Sequence, residues 1–372
     1  MKKIKVLSVF GTRPEAIKMA PLVKELEKRE ETESIVCVTA QHREMLDIVL
    51  KIFDIKPDYD LDIMEKNQTL TTITNKILIQ LDEIVKKIKP DIILVHGDTS
   101  TAFVSALVAF YNQIPIGHVE AGLRTYNKYS PYPEEMNRQM IDCMCDMYFA
   151  PTELSKQNLL KEGKEENKIF ITGNTAIDAL KTTVNKDYEN EIFDWVGEDN
   201  LILLTAHRRE NIGEPMRNMF KAIKRIIDEY SNIKLIYPIH MNPKVREIAK
   251  EIFENCEKIK IIEPLDVQDF HNFLNKAHLI LTDSGGIQEE APSLGKPVLV
   301  LRDTTERPEG VEAGTLKLVG TDEEVIYDNI KLLLDNEKEY EKMSKASNPY
   351  GDGFASKKIV DNIIRYFKNE DK

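Results

Sequence analysis

Short apolar runs alternate with longer amphipathic stretches along most of the chain. In the first half the apolar runs fall at 4–10, 34–38, 91–95, 114–119, 147–150 and 169–172. Between them the spacing becomes helical, and over 70–89 one face is kept apolar by Ile73, Ile77, Leu81, Ile84 and Ile88. Continuously apolar strands separated by helices are typical of parallel sheets that are buried on both faces.

The same alternation begins again after residue 173. Its apolar runs fall at 201–205, 233–238, 259–262, 278–282 and 297–301. Two such series predict an α/β protein with two Rossmann-like, doubly wound domains, at 1–172 and 173–350, with a hinge near Gly173. Residues 351–372 break the pattern, and their helix (354–368) is expected to pack back on the first domain.

Composition narrows the class of protein. A chain of 372 residues is too long for one ordinary core, which agrees with two domains. The N-terminus leads into a strand rather than a signal peptide, and no apolar run reaches the length of a membrane span, so a cytoplasmic protein without a membrane partner is expected. The net charge of −12 argues against nucleic acid as a partner.

Metal and cofactor motifs are missing from the sequence. Cys143 and Cys145 are spaced C-x-C, but zinc sites use wider spacings and further ligands, so the four cysteines are interpreted as reduced thiols and no metal is expected. Neither G-x-G-x-x-G nor G-x-x-x-x-G-K-[ST] occurs. No NAD-dependent or P-loop mechanism is therefore expected, and no cofactor.

Residues 283–310 form the most informative stretch, DSGGIQEEAPSLGKPVLVLRDTTERPEG. An apolar strand (277–282) leads into Asp283-Ser284-Gly285-Gly286, and a helix-compatible run (287–294) follows. Glycines allow close approach of a ligand, and a helix N-terminus attracts anions, so a diphosphate would fit here. Arg302 and Arg307 offer guanidinium groups for phosphate oxygens, and Glu289 and Glu290 could bind ribose hydroxyls. An ordinary strand–turn–helix with surface arginines is the alternative.

Three carboxylates follow predicted strands or begin a predicted helix in the first half. Asp98 and Glu120 come at strand ends, and Glu134 follows the turn Pro131-Tyr132-Pro133. Carboxylates that share one cleft acquire separated pKa values, which suits one to donate and another to accept a proton. Helix caps or structural ion pairs remain the alternatives. His96 and His118 are interpreted as hydrogen-bonding rather than catalytic residues.

Eight motifs carry a resemblance to a known family. They read GTRPEAIKMAP, GDTSTAF, HVEAGLRT, YSPYPEEMNR, ITGNTAIDAL, LTAHRREN, the 283–310 stretch and NPYGDG. In this order, over nearly the whole chain, they resemble the bacterial non-hydrolysing UDP-N-acetylglucosamine 2-epimerases. The resemblance implies the GT-B architecture with a nucleotide sugar in the cleft between two domains. It also implies a homodimer and the interconversion of UDP-GlcNAc and UDP-ManNAc by elimination and re-addition of UDP.

The family's site residues carry over position by position. The resemblance makes Asp98, Glu120, Glu134 and His207 the catalytic group. It assigns substrate or UDP contacts to the remaining matching positions, which are Arg13, Lys18, Leu265, Phe270, Ser284, Gly285, Gly286, Glu290 and Arg307. In this match Glu290 is the ribose ligand, and Phe270 with the backbone around Leu265 lies on the uracil side. Some family members have glutamine where this chain has Leu265, so only a backbone contact is expected there.

Three other functions compete with this interpretation. A hydrolysing relative would release ManNAc and UDP, a GT-B glycosyltransferase would use a separate acceptor, and a sensor would bind the nucleotide sugar without turnover. The transferase would not need three carboxylates, and the sensor would need fewer proton-transfer groups.

The resemblance also implies an activator site for a second UDP-GlcNAc. Its matching positions are Gln41, His42, Arg208 and His240. Asn67 stands where close relatives have arginine, so one charged contact is missing from the pattern.

Overall fold

The structure is a computed structural model that describes residues 2–41, 43–65 and 68–370, with side chains through Lys368. Among these residues, no helix has both the length and the apolar character that crossing a membrane requires. Contacts divide the chain into two compact units, one formed by Met1–Thr182 with Tyr350–Lys372 and the other by Thr183–Pro349. The predicted domain bounds of 1–172, 173–350 and 351–372 stay a prediction.

The strands of the described chain follow the order of the sequence. They are β1 (Ile4–Phe10), β2 (Thr32–Val38), β3 (Tyr59–Asp60), β4 (Ile92–His96), β5 (Ile116–Val119), β6 (Met147–Ala150), β7 (Ile169–Ile171), β8 (Asn200–Thr205), β9 (Ile233–Pro238), β10 (Ile259–Ile262), β11 (Leu279–Thr282), β12 (Val298–Val300) and β13 (Leu316–Leu318).

Helices connect these strands almost throughout. They are α1 (Arg13–Lys28), α2 (Arg43–Ile52), α3 (Leu70–Ile88), α4 (Ser100–Tyr111), α5 (Glu134–Met144), α6 (Glu153–Lys161), α7 (Thr175–Thr183), α8 (Glu191–Val196), α9 (Glu214–Glu229), α10 (Pro243–Phe253), α11 (Val267–Lys276), α12 (Gly285–Ser293), α13 (Pro308–Glu312), α14 (Glu323–Asp335), α15 (Glu337–Ser344) and α16 (Ala355–Glu370).

The first unit is built on a seven-stranded sheet in the order β3-β2-β1-β4-β5-β6-β7. Neighbouring strands pair in parallel, for example Val6 with Ile92 and Ile93 with Ile116. The chain moves outward in one direction from β1 to β3 and in the other from β4 to β7. The strand order therefore reverses between β1 and β4, and a sheet of this kind has its ligand crevice at the carboxyl ends of those two strands.

The second unit repeats this plan with a six-stranded sheet, β10-β9-β8-β11-β12-β13. Its order reverses between β8 and β11, which pair in parallel from Leu279 with Ile202 to Thr282 with Thr205. Buried side chains fill both faces of the sheet: Leu204 and Leu281 belong to one apolar cluster, and Leu203 and Ile280 belong to another. The doubly wound α/β fold predicted from the apolar pattern is confirmed for both units.

The segment Tyr350–Lys372 is grouped with the first unit. Its chain enters past Gly173, where the Cα of Gly351 lies 3.0 Å from the position that a Cβ of Gly173 would take. Both glycines have positive φ, so a side chain at either would be strained as well as crowded. Asp178 then accepts hydrogen bonds from the first N–H groups of α16, those of Ala355 (3.1 Å) and Ser356 (2.8 Å).

Candidate active site

The loop after β1 is tied to the loop after β4 by one buried carboxylate. Glu15 accepts hydrogen bonds from the N–H groups of Gly11 (3.0 Å) and Thr12 (2.8 Å). Its second oxygen accepts from the Thr99 hydroxyl at 2.6 Å. Burial raises the pKa of Glu15, and these hydrogen bonds act against that rise. The capping box of α1 thus also fixes the two loops that flank the reversal of strand order.

Glu120 follows β5 and is held from three sides. Lys18 of α1 donates a hydrogen bond to its Oε1, and the Asn174 side chain donates to the same oxygen at 2.9 Å. Nε2 of His96 lies 3.7 Å from Oε2. The backbone of Glu120 has a φ of 68°, which is uncommon for a residue with a side chain. Such strain persists only where surrounding contacts over-determine it, as these do.

Asp98 follows β4 and faces α5. Its carbonyl accepts a hydrogen bond from Asn137 at 2.7 Å, and its carboxylate lies 3.1 Å from the Arg138 guanidinium. Burial raises the pKa of Asp98, the charges of Glu120 and Glu134 raise it further, and Arg138 opposes the rise. The structure therefore brings Glu120 and Glu134 close enough to affect the protonation of Asp98, and the charge of Lys18 acts on Asp98 in the opposite direction.

A buried chain of polar contacts supports this end of the sheet. Arg124 donates to Asp142 at 2.6 Å, and Asp142 bonds Nδ1 of His118 at 2.6 Å. Nε2 of His118 bonds the Gly97 carbonyl at 2.8 Å, next to Asp98. Cys145 lies near His118 and Asp142, but burial raises the pKa of its thiol and disfavours the thiolate that a metal needs. His118 is thus a hydrogen-bonding residue, as the sequence suggested.

His96 differs from His118. It is buried, and neither of its ring nitrogens has a hydrogen-bond partner in the structure. Burial lowers its pKa to about 3, so the imidazole beside Glu120 is neutral at physiological pH.

In the second unit, Asp283 organises the ends of β8 and β11. One of its carboxylate oxygens accepts from the N–H groups of His207 (2.9 Å) and Arg208 (2.8 Å). The His207 ring stacks on His240, with centroids 5.4 Å apart. Burial lowers the pKa of His207, and the Asp283 charge opposes this shift. His207 is therefore placed at the reversal of strand order in its own unit.

The N-terminus of α12 lies at the same end of this sheet, directly after β11. Ser284 occupies the N-cap position without a side-chain cap hydrogen bond, and Gly285 begins the helix. The helix begins at 285, two residues earlier than the sequence pattern suggested. Arg307 lies at the start of α13 and donates from Nε to Glu289. Glu306 lies against Gly285 and contacts Arg208 and Arg302.

The predicted ribose and uracil positions lie on α11 and α12. Oε2 of Glu290 is 3.6 Å from Nε2 of His271, and the other nitrogen of that ring bonds the Thr183 hydroxyl at 2.6 Å. Phe270 and Leu265 are partly buried and pack against the apolar cluster on this face of the sheet. Glu290 and Phe270 thus come from neighbouring helices of one unit.

The remaining predicted residues are placed as follows. Arg13 is the first residue of α1, directly after the loop that Glu15 fixes. Gln41 follows β2, and its side chain accepts from the Thr101 hydroxyl at 3.3 Å. His42 and Asn67 lie outside the described residues.

Sequence reasoning missed several residues that hold this site together. Arg138 and Asn174 contact the catalytic candidates, and Glu15, Asp283 and Glu306 organise the loops. For Arg138 a signal existed: it lies four residues after Glu134, on the same face of a helix. Glu15 also had a local signal, because Thr12 and Glu15 have the spacing of a capping box. Asn174, Asp283 and Glu306 lie within the quoted motifs, but their contacts with distant residues arise only in the folded chain.

Comparison with known proteins identifies the family. The family model described as UDP-N-acetylglucosamine 2-epimerase matches residues 24–364. A UDP-N-acetylglucosamine 2-epimerase of Bacillus subtilis is 65% identical over 367 residues, covering 99% of this chain and 97% of the relative.

Two solved structures extend the likeness to three dimensions. The UDP-GlcNAc 2-epimerase from Neisseria meningitidis, bound to UDP-GlcNAc, is 50% identical with a TM-score of 0.87, covering 97% of this chain and 100% of that one. The S. aureus protein MnaA, in a co-structure with UDP, is 57% identical with a TM-score of 0.89, covering 98% and 97%. The resemblance seen in the motifs is thereby confirmed, and the chain belongs to the UDP-N-acetylglucosamine 2-epimerase family of enzymes.

Proposed function

We propose that this enzyme interconverts UDP-GlcNAc and UDP-ManNAc without net hydrolysis, through a 2-acetamidoglucal intermediate. The observation that carries the proposal is the cluster of Asp98, Glu120 and Glu134, in which burial and then the charges of the two glutamates raise the pKa of Asp98. Groups with separated proton affinities can serve as acid and base in one reaction. The relative from Neisseria that was solved with UDP-GlcNAc supports this substrate.

The elimination route follows from the chemistry of the sugar. The C2 proton of UDP-GlcNAc is not next to a carbonyl, so simple removal and return of that proton would be very slow. In the proposed route a carboxylate takes the proton, a C1–C2 double bond forms, and UDP leaves with the bonding electrons of C1–O. Protonation of C2 from the opposite face and return of UDP to C1 then give the epimer, with atoms and charge conserved.

Each unit would supply one requirement of this route. The first supplies acid–base carboxylates, with Lys18 and Asn174 fixing Glu120. The second supplies a helix N-terminus and arginines for a leaving diphosphate, with Glu290 and Phe270 for the nucleoside. The predicted cleft between two domains, the cytoplasmic location and the roles of the individual site residues remain part of the proposal.

Product analysis tests the proposed function. We expect NMR of an incubation with UDP-GlcNAc to show UDP-ManNAc forming until its ratio to UDP-GlcNAc is constant. UDP and 2-acetamidoglucal should appear in small amounts. Stoichiometric free ManNAc and UDP would instead identify a hydrolysing enzyme. No reaction without an added acceptor would favour a transferase or a binding protein.

Charge-removing substitutions should separate catalysis from binding. Asp98→Asn, Glu120→Gln and Glu134→Gln are each expected to lower kcat by about 10²–10⁴-fold, as for lost acid–base groups, with little change in UDP affinity. Arg307→Ala should weaken UDP binding instead. Glu33→Gln, an exposed change on β2, is the control for loss of one carboxylate. Wild-type turnover in one of the three variants would remove that residue from the catalytic set.

We further propose a homodimer that forms through α3 and α4. These helices expose Ile79 (63%), Phe110 (57%) and Tyr111 (64%) beside a groove of about 440 Å³. Asp82 and Lys86 also line the groove, so the surface carries both charges and suits pairing with its own copy about a two-fold axis. Light scattering should report a dimer that Ile79→Glu with Tyr111→Glu converts to a folded monomer. Leu154→Glu, an exposed change on α6, should leave the mass unchanged.

A second UDP-GlcNAc site remains a proposal for Gln41, His42, Arg208 and His240. Stacking of His240 on His207 would give such a site a direct contact with the predicted catalytic histidine. Regulation would require the activator to bind one conformation more tightly than another. Sigmoidal rates in UDP-GlcNAc that become hyperbolic in His240→Ala would support it, and hyperbolic turnover of pure UDP-ManNAc without a lag would contradict it.

A further inference from the structure

The carboxylate of Glu306 lies at the N-terminus of α12. A Cβ built on Gly285, the first residue of that helix, would come 2.7 Å from Oε1 of Glu306. The first N–H groups of a helix lack intrahelical partners and carry partial positive charge, so this position favours an anion. In the structure that anion is a side chain of the protein itself.

Arginines surround the same carboxylate. Arg302 donates to its Oε2 at 2.7 Å, and a guanidinium nitrogen of Arg208 lies 3.4 Å from its Oε1. Burial acts to raise the pKa of Glu306. A hydrogen bond from its own backbone and the charges of Arg307, Arg302 and Arg208 outweigh burial and lower the pKa. Glu306 is therefore ionised at neutral pH.

These surroundings are the ones that a phosphate group would need. Guanidinium groups bind phosphate oxygens by the same hydrogen bonds that they give a carboxylate, and a helix N-terminus attracts either anion. We infer that Glu306 is an affinity-determining residue of the anion site, an internal competitor that holds the place of a phosphate until UDP displaces it. The inference rests on the proposed function, because that function puts the diphosphate at Ser284–Gly286.

Displacement is physically reasonable for three reasons. The Glu306 side chain is 35% exposed, so solvent lies next to it and it can swing outward without opening a core. A diphosphate carries more charge and more acceptor oxygens than one carboxylate, so it gains more from the same donors. Two anions at one helix end would repel each other, so phosphate and carboxylate should exclude one another.

Competition from Glu306 would affect both the affinity for UDP and the selection among ligands. Binding of UDP must replace existing contacts of Arg208 and Arg302, so part of the attraction is offset and the nucleotide can exchange between turnovers. A ligand without phosphate cannot make this replacement. The Glu306 carboxylate would then favour polyanionic ligands over uncharged nucleosides at this position.

The test is Glu306→Gln, which keeps the shape of the side chain and removes its charge. Calorimetry should show UDP binding several-fold more tightly to Glu306→Gln than to the wild type, with a gain of similar sign for inorganic pyrophosphate. Without ligand, the variant should melt at a lower temperature than the wild type, since Arg208 and Arg302 have lost their anion. UDP should raise the melting temperature of the variant by more than that of the wild type. Glu312→Gln, an exposed carboxylate of α13, is the matched control.

The outcomes separate this inference from the proposed function. If the wild type binds UDP and Glu306→Gln binds it equally or more weakly, Glu306 is a structural tie or a ligand contact and the inference is wrong. If the wild type fails to bind UDP, the proposed function fails, and the pyrophosphate titration still decides the role of Glu306. A gain that Glu312→Gln reproduces would reflect overall charge and would also overturn the inference.

Discussion

The reversal of strand order in each parallel sheet is the constraint on which the rest of this structure depends. Strands on either side of the reversal send their connections to opposite faces, so the loops at their carboxyl ends separate and leave room for a ligand. In the first unit these strands are β1 and β4, and in the second they are β8 and β11. Arg13 and Asp98 follow the first pair, and His207 and Ser284 follow the second. In each unit, candidate site residues therefore lie at the position where the topology leaves room for a ligand.

Local charge then distinguishes the two units. In the first unit, burial and mutual repulsion oppose the clustering of carboxylates. The positive charges of Lys18 and Arg138 stabilise the cluster. In the second, arginines and a helix end create a cationic position in a chain whose net charge is −12. Global charge would repel a nucleotide diphosphate, so the attraction must come from these fixed neighbours. The contacts of Glu306 with Arg302 and Arg208 show how a carboxylate is held at this position.

Much of the fold could be predicted from the sequence because buried parallel strands are short, apolar and bounded by turns. The strands at 147–150, 233–238 and 259–262 have the predicted bounds. The pattern missed β3, which consists of Tyr59 and Asp60, and β13, in which Lys317 separates two leucines, because neither strand forms a continuous apolar run. Asn174 lies within the motif ITGNTAIDAL, but its contact with Glu120 arises only through the tertiary fold. The roles of Asp283 and Glu306 likewise required coordinates.

We propose above that the enzyme inverts C2 by eliminating and re-adding UDP. The most direct measurement is the fate of the C2 hydrogen when UDP-GlcNAc is turned over in heavy water. If UDP is eliminated and re-added, one deuterium should appear at C2 of UDP-ManNAc and, as the reaction reverses, at C2 of the recovered UDP-GlcNAc. Retention of the original hydrogen at C2 through many turnovers would contradict it.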